Sequence, residues 1–198
     1  ELNWPDFASN SKFGASGNDY STFRSGSAKS REPIVYVGAN DGMLHGFNAD
    51  DASADAGKEK FAYVPGIIAN NSNNAGLHYL SNNSYQHRFY VDLTPSVSDV
   101  YISAGAGKEW RTVLVGGLRA GGQGLYALDI NDPAKFADPT NNANDVVLWE
   151  FSNEDDADFG YSYSQPSIVM MPNGKWAVIT GNGYNNSGDG HAKLFIIY

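Results

Sequence analysis

The chain has 198 residues, a formal net charge of −9 and no cysteine; only 18% of its residues are charged, while 13% are aromatic and 22 are glycine. This balance excludes a nucleic-acid surface, which needs clustered Lys and Arg, and electrostatic docking to anionic lipid. It also excludes a disulfide framework or thiolate metal site, and no stretch approaches the ~18 apolar residues of a transmembrane segment. Aromatic and glycine richness favours strands and tight turns over helices.

Taken in chain order, residues 1–31 are rich in Ser, Gly and Asn with scattered aromatics (Trp4, Phe7, Phe13, Tyr20, Phe23) and read as a lead-in segment that docks those rings on the body. Residues 32–65 form a first, incomplete unit. In it Val35 to Asn48, VYVGANDGMLHGFN, reads as strand, turn, strand. Asn40, Asp41 and Gly42 tolerate left-handed backbone, so they mark a hairpin. A third strand, Lys60–Val64, ends at Pro65. Residues 66–86 are an Asn/Ser-rich loop, long for a compact domain and therefore a candidate for function. A second unit spans 87–151. Its expected strands are His87–Val91, Ser96–Ile102, Arg111–Val115, Leu125–Ile130 and Val146–Phe151, with one short helix near Pro133–Phe136. A third unit, 165–198, has strands at Gln165–Met171, Lys175–Thr180 and Lys193–Tyr198.

The units echo one another. A β-branched strand ending in glycine (Gly38, Gly116, Gly181), a Gly/Asn-rich turn and a second apolar strand recur at a loose period. Antiparallel four-stranded units in a fixed order are the mark of β-propeller blades. The expected fold is all-β, a fragment of a modified β-propeller covering 32–198, because a closed propeller needs about four to eight blades. The chain accordingly reads as a piece of a longer protein; a small stand-alone sandwich is the alternative.

Candidate chemistry is sparse. Asp50, Asp51 and Asp55, with Asn48, lie on one polar turn, and such a turn can offer oxygens to a divalent cation. The EF-hand spacing is not met. The loop Asn182–Asp189 and the acidic run Glu154–Asp158 offer similar oxygens. His45, His78, His87 and His191 form no spaced pair, and His45, next to Leu44 in a strand, reads as a half-buried packing residue. The glycines of 116–124 lack the Lys-Ser/Thr of a phosphate loop and precede a strand, so they read as a hairpin turn. Phe159, Tyr161 and Tyr163 alternate, as rings on one face of a strand packed between blades would.

The phrases VYVGANDGMLHGFNA, YVDLTPSVSDVYI, WRTVLVGGLRAGGQGLYALDINDP and WAVITGNGYNN, in that order, resemble the C-terminal propeller of the PilY/PilC family of type IV pilus biogenesis and tip-adhesin proteins. The resemblance runs from about Tyr20 to Tyr198. It implies a bacterial cell-surface location at the pilus tip or outer membrane. It implies association with minor pilins and with a host or abiotic surface, and roles in pilus biogenesis, adhesion and twitching motility. It also implies calcium in the full-length protein, although the family's acidic calcium loop lies downstream of GNGYNN and no ligand is assigned within this chain. The leading expectation is a non-enzymatic module that binds through loops at Gly66–Gln86 and Asp50–Gly57. The alternative is a quinoprotein-dehydrogenase-like propeller enzyme, whose blades share the Gly124–Asp129 phrase. There, however, Thr-Gly and a docking tryptophan follow the Asp, whereas Ile130-Asn131-Asp132-Pro133 follows here.

Overall fold

The computed structural model describes residues 19–69, 74–104 and 107–198. Among these residues ten strands form three antiparallel sheets. Sheet 1 holds β1 (Ile34–Gly38), β2 (Leu44–Asn48) and β3 (Glu59–Tyr63) in that order. Sheet 2 holds β4 (Ser96–Ala104), β5 (Gly107–Gly117), β6 (Gly124–Asp129) and β7 (Val147–Ser152). Sheet 3 holds β8 (Ser167–Met170), β9 (Trp176–Gly181) and β10 (Leu194–Ile197). Within each sheet, neighbouring strands are consecutive in the chain and antiparallel.

Successive strand side chains point to opposite faces, and sheet 2 uses both of its faces. Leu114, Tyr126 and Leu128 pack against Leu44, Ile34, Tyr36, Phe61 and Tyr63 of sheet 1. The alternate residues Val113, Val115 and Ala127 pack against Ile168, Trp176, Val178 and Ile197 of sheet 3. Sheet 2 is therefore the middle layer, which is why β6 is buried at every position. Each fully buried Leu in these layers contributes about 1.5–3 kcal/mol by leaving water. The repeated glycine is used for close approach at Gly116, where a Cβ would run into the Tyr126 ring. At Gly42, φ is +94°, the left-handed turn that the Asn-Asp-Gly phrase predicts.

Two short helices, α1 (Tyr20–Ser25) and α2 (Ser27–Ser30), lead into sheet 1. Tyr20 and Phe23 are buried against Trp110 of β5, the Tyr20 ring 4.8 Å from it. The Tyr20 hydroxyl donates to Asp99 Oδ2 at 2.8 Å. Trp4, Phe7 and Phe13 lie outside the described residues.

Three expectations need correction. His87–Val91 is not a strand of the second unit. It crosses between sheets, since Val91 N donates to Ala39 O beside sheet 1 and Leu93 N donates to Gly117 O of β5. The Phe159-Tyr161-Tyr163 stretch is not a strand either. Gly160 N donates to Asn182 O and Tyr161 N to Tyr184 O, while Ser162 turns back to sheet 2. Its rings consequently do not share a face: Phe159 is buried against Phe151 and Phe195, whereas Tyr163 is exposed. Finally, Pro133–Ala137 is a 3-10 turn, and it is followed by a true helix, α3 (Pro139–Val146), that the sequence reading missed. Both start with Asp-Pro, where the Asp carboxylate accepts a backbone N–H and the proline fixes φ: Asp132 from Ala134 N, Asp138 from Asn141 N.

Candidate functional site

The strand directions divide the molecule's loops between two ends. Odd-numbered strands finish, and even-numbered strands begin, at one end, called the upper end below. It carries the turns 39–43 and 118–123, the described parts of 64–95 (64–69 and 74–95), and the longer segments 153–166 and 182–193. The lower end carries 49–58, 130–146 and 171–175. The two loops singled out from sequence, Gly66–Gln86 and Asp50–Gly57, therefore sit at opposite ends and cannot build one site.

At the lower end, Asp50 Oδ1 accepts from Ala52 N at 3.0 Å and closes its own turn. Asp51 is exposed. Asp55 pairs with Lys58 at 2.7 Å and lies 3.9 Å from Lys60. The Lys58 hydrogen bond holds the Asp55 carboxyl below its ordinary value. Asn48 is buried and turned to Glu32, its Nδ2 donating at 2.7 Å. Among the described residues no three His, Asp or Glu side chains gather where one metal ion could reach them.

His45 does face outward from β2, stacked on Phe47 at 5.8 Å, but it is more than a packing residue. Glu59 Oε1 sits 2.5 Å from Nδ1 and Asp41 Oδ2 sits 2.9 Å from Nε2. The Glu59 hydrogen bond, aided by Asp41, raises the imidazole pKa above its ordinary value of 6.5, against the opposing effect of burial.

The upper end is tied together by hydrogen bonds that no motif announces. Ser162, fully buried, accepts from Leu118 N (3.2 Å) and Arg119 N (3.0 Å) and donates to Gly124 O (2.9 Å). Asn182, also buried, donates to Asp158 O and His191 O and accepts from Lys193 N. Lys193 pairs with Asp158 and, at 2.9 Å, with Asp189, whose carboxyl is held below the ordinary range by that contact. Two of the carboxylates read as cation candidates are thus latched by a lysine. Gln123 Nε2 reaches Asn185 O at 2.6 Å. The 64–95 segment is fixed at its start by Glu150 of β7, which accepts from Tyr63 Oη, Gly66 N (2.7 Å) and Ile67 N (3.1 Å). Further on, the Arg88 guanidinium lies 3.5 Å over the Tyr79 ring, and Tyr90 Oη donates to Gly76 O.

These loops border a cleft of about 530 Å³ lined by Ile67, His87, Phe89, Tyr90, Gln123 and Tyr161 among others. Beside it stand three tyrosines. Tyr161 and Tyr184 stack at 5.3 Å with 18° between planes, and Tyr163 lies 5.3 Å from Tyr184. Tyr184 is 55% and Tyr163 40% exposed. Arg119, at φ +49°, places its guanidinium 5.0 Å over Tyr163 and 3.4 Å from Asp92. The arrangement offers rigidly held aromatic and polar groups to a partner.

The family model described as the PilY1 beta-propeller domain matches residues 10–198. The type IV pilus biogenesis factor PilY1 of Pseudomonas aeruginosa is 46% identical over 184 residues, covering 91% of this chain and 14% of that protein. A PilY1 homolog of Xylella fastidiosa is 45% identical over 163 residues, covering 82% of this chain and 10% of the homolog. The crystal structure of the Pseudomonas aeruginosa PilY1 C-terminal domain matches with a TM-score of 0.64 at 42% identity, over 90% of this chain and 30% of that one. The chain thus spans a small part of the relatives it matches.

Proposed function

The chain belongs to the family of the PilY1 β-propeller domain, and we propose that it serves as a non-enzymatic, partner-binding part of a type IV pilus biogenesis factor at the bacterial cell surface. In this reading the three stacked sheets are successive blades, and the upper-end loops make the contacts. Those contacts are to minor pilins at the pilus tip or to the host or abiotic surface on which adhesion and twitching motility depend. The observation that carries the reading is the collection of the long segments 64–95, 153–166 and 182–193 at one end of a packed scaffold, the usual division of labour between rigid sheets and binding loops. That the relatives are named as biogenesis factors supports a non-enzymatic role. Calcium use belongs to the same proposal at the level of the longer protein, with no ligand placed on these residues.

The test is to replace residues 74–86 by a short Gly/Ser linker in the intact protein and to score pilus number and surface attachment together. Attachment is expected to fall while pilus number holds. Unchanged attachment would remove the upper-end loop from the contact surface. A dye-linked turnover assay with visible spectra on the same protein checks the enzyme alternative, for which a quinone absorbance would be required.

A further inference from the structure

We propose that the tyrosine platform at the upper end, Tyr161, Tyr163 and Tyr184 with Arg119, is a docking site for an Arg- or Lys-bearing segment of a partner protein. The proposal rests on the reading that upper-end loops make the partner contacts and names the chemistry those contacts select.

Three observations lead there. The first is aromatic surface held in place. Tyr184 and Tyr163 expose much of their rings, yet the loops beneath are pinned by Gly160 N to Asn182 O (2.7 Å), Tyr161 N to Tyr184 O (2.9 Å) and the Ser162 bridge. A ring already fixed loses little freedom when a partner docks on it. The second is that the platform already accepts a guanidinium, since Arg119 lies over the Tyr163 face. Tyr184, 55% exposed, offers the same kind of ring to an incoming cation. The third is the charge of the loops that carry the rings. Residues 153–163 and 182–193 hold Glu154, Asp155, Asp156, Asp158 and Asp189 against the single cation Lys193, apart from His191. The two loops are packed together, Asp189 N donating to Asp158 Oδ1 at 3.0 Å. Lys193 is committed to Asp158 and Asp189. The remaining carboxylates complement a basic segment and repel an acidic one. Tyr and Arg are also the residue types that dominate the energetics of protein interfaces.

Isothermal titration of the intact protein decides the matter. The probes are a short acetylated peptide of alternating arginine and glycine, its neutral citrulline counterpart, and maltohexaose. The arginine peptide should bind, more weakly as salt rises, and the citrulline peptide should not. Tyr184→Ala should weaken the arginine peptide by about fivefold, Tyr184→Phe should retain it, and Glu154→Gln with Asp156→Asn should weaken it too. Asp51→Asn, at the lower end, should leave it unchanged. Absence of arginine-peptide binding, equal binding of the citrulline peptide, or indifference to Tyr184→Ala overturns the proposal. So does maltohexaose binding that depends on Tyr184, which would make the platform a saccharide site. Loss of attachment on replacing 74–86, with peptide binding indifferent to Tyr184→Ala, sinks the platform while keeping the upper end as the contact surface. Unchanged attachment on replacing 74–86, with arginine-peptide binding that depends on Tyr184, keeps the platform and removes only the 74–86 loop from the contact surface.

Discussion

His45 shows how a residue's position can be legible while its role is not. Alternation along β2 puts it opposite to buried Leu44, as the sequence suggests. Its two carboxylates come from elsewhere: Asp41 from the hairpin turn and Glu59 from β3. Glu59 arrives there because the β2–β3 register shifts between Gly46 and Phe47, and no local pattern reveals that bulge. The linkage has a definite sign. The folded pKa lies above 6.5, so the folded state binds this proton more tightly than the unfolded chain. The stabilisation is therefore complete below the unfolded value and is lost as pH rises through the elevated folded value. In denaturant titrations of the intact protein, the stability margin over His45→Gln should be largest near pH 5 and should shrink above neutrality. A margin constant from pH 5 to 9 would show that the imidazolium contributes nothing. The acidic turn teaches the converse lesson. Asp50, Asp51 and Asp55 share a stretch of chain, but one closes a turn, one faces solvent and one is taken by Lys58. Proximity in sequence did not become convergence in space.

At the scale of elements, the strands were the most legible part, because β-branched alternation and glycine turns act locally. β1, β2, β6 and β9 fall within a residue or two of their sequence-derived bounds. The crossing segments were not legible. His87–Val91 and Phe159–Tyr163 have strand-like composition, but their backbone bonds go to turns beside the sheets, Val91 N to Ala39 O, Tyr161 N to Tyr184 O and Ser162 N to Gly122 O, a tertiary choice that overrides propensity. α3 was missed because its sequence, PTNNANDV, buries only Val146 and so lacks an apolar stripe. The Asp138-Pro139 start was the available signal. The element that matters most for the upper end is the 64–95 segment, and Glu150 fixes its origin. Glu150→Ala removes the charged acceptor of Gly66 N, Ile67 N and Tyr63 Oη, groups that water partly reaches, and should cost about 1–2 kcal/mol. Amide exchange at Gly66 and Ile67 should accelerate strongly while β5 and β6 stay protected. Uniform acceleration throughout sheet 2 would mean that Glu150 supports the core rather than the loop.

For the whole molecule, the repeat of strand, glycine turn and strand was enough to indicate blade-like units, and the match to the PilY1 C-terminal domain supports that reading. The repeat could not show that sheet 2 is sandwiched on both faces, or that the two suspected loops lie at opposite ends. The first depends on how the sheets stack, and the second on the direction in which each strand runs. The stack leaves apolar side chains on its two outer faces, Val35 and Val37 on sheet 1 and Leu194 and Ile196 on sheet 3. On sheet 1 these valines share the outer face with Phe47 and His45, and in a propeller each blade is covered by its neighbours. Hydroxyl-radical footprinting of the intact protein tests the stack and the contact surface in one measurement. Strong modification of Tyr184 and Tyr163 is expected, with Val35, Val37, Leu194 and Ile196 protected by neighbouring sheets. Reactive outer faces together with protected tyrosines would contradict it, placing the buried interface at the upper end and solvent on the blades.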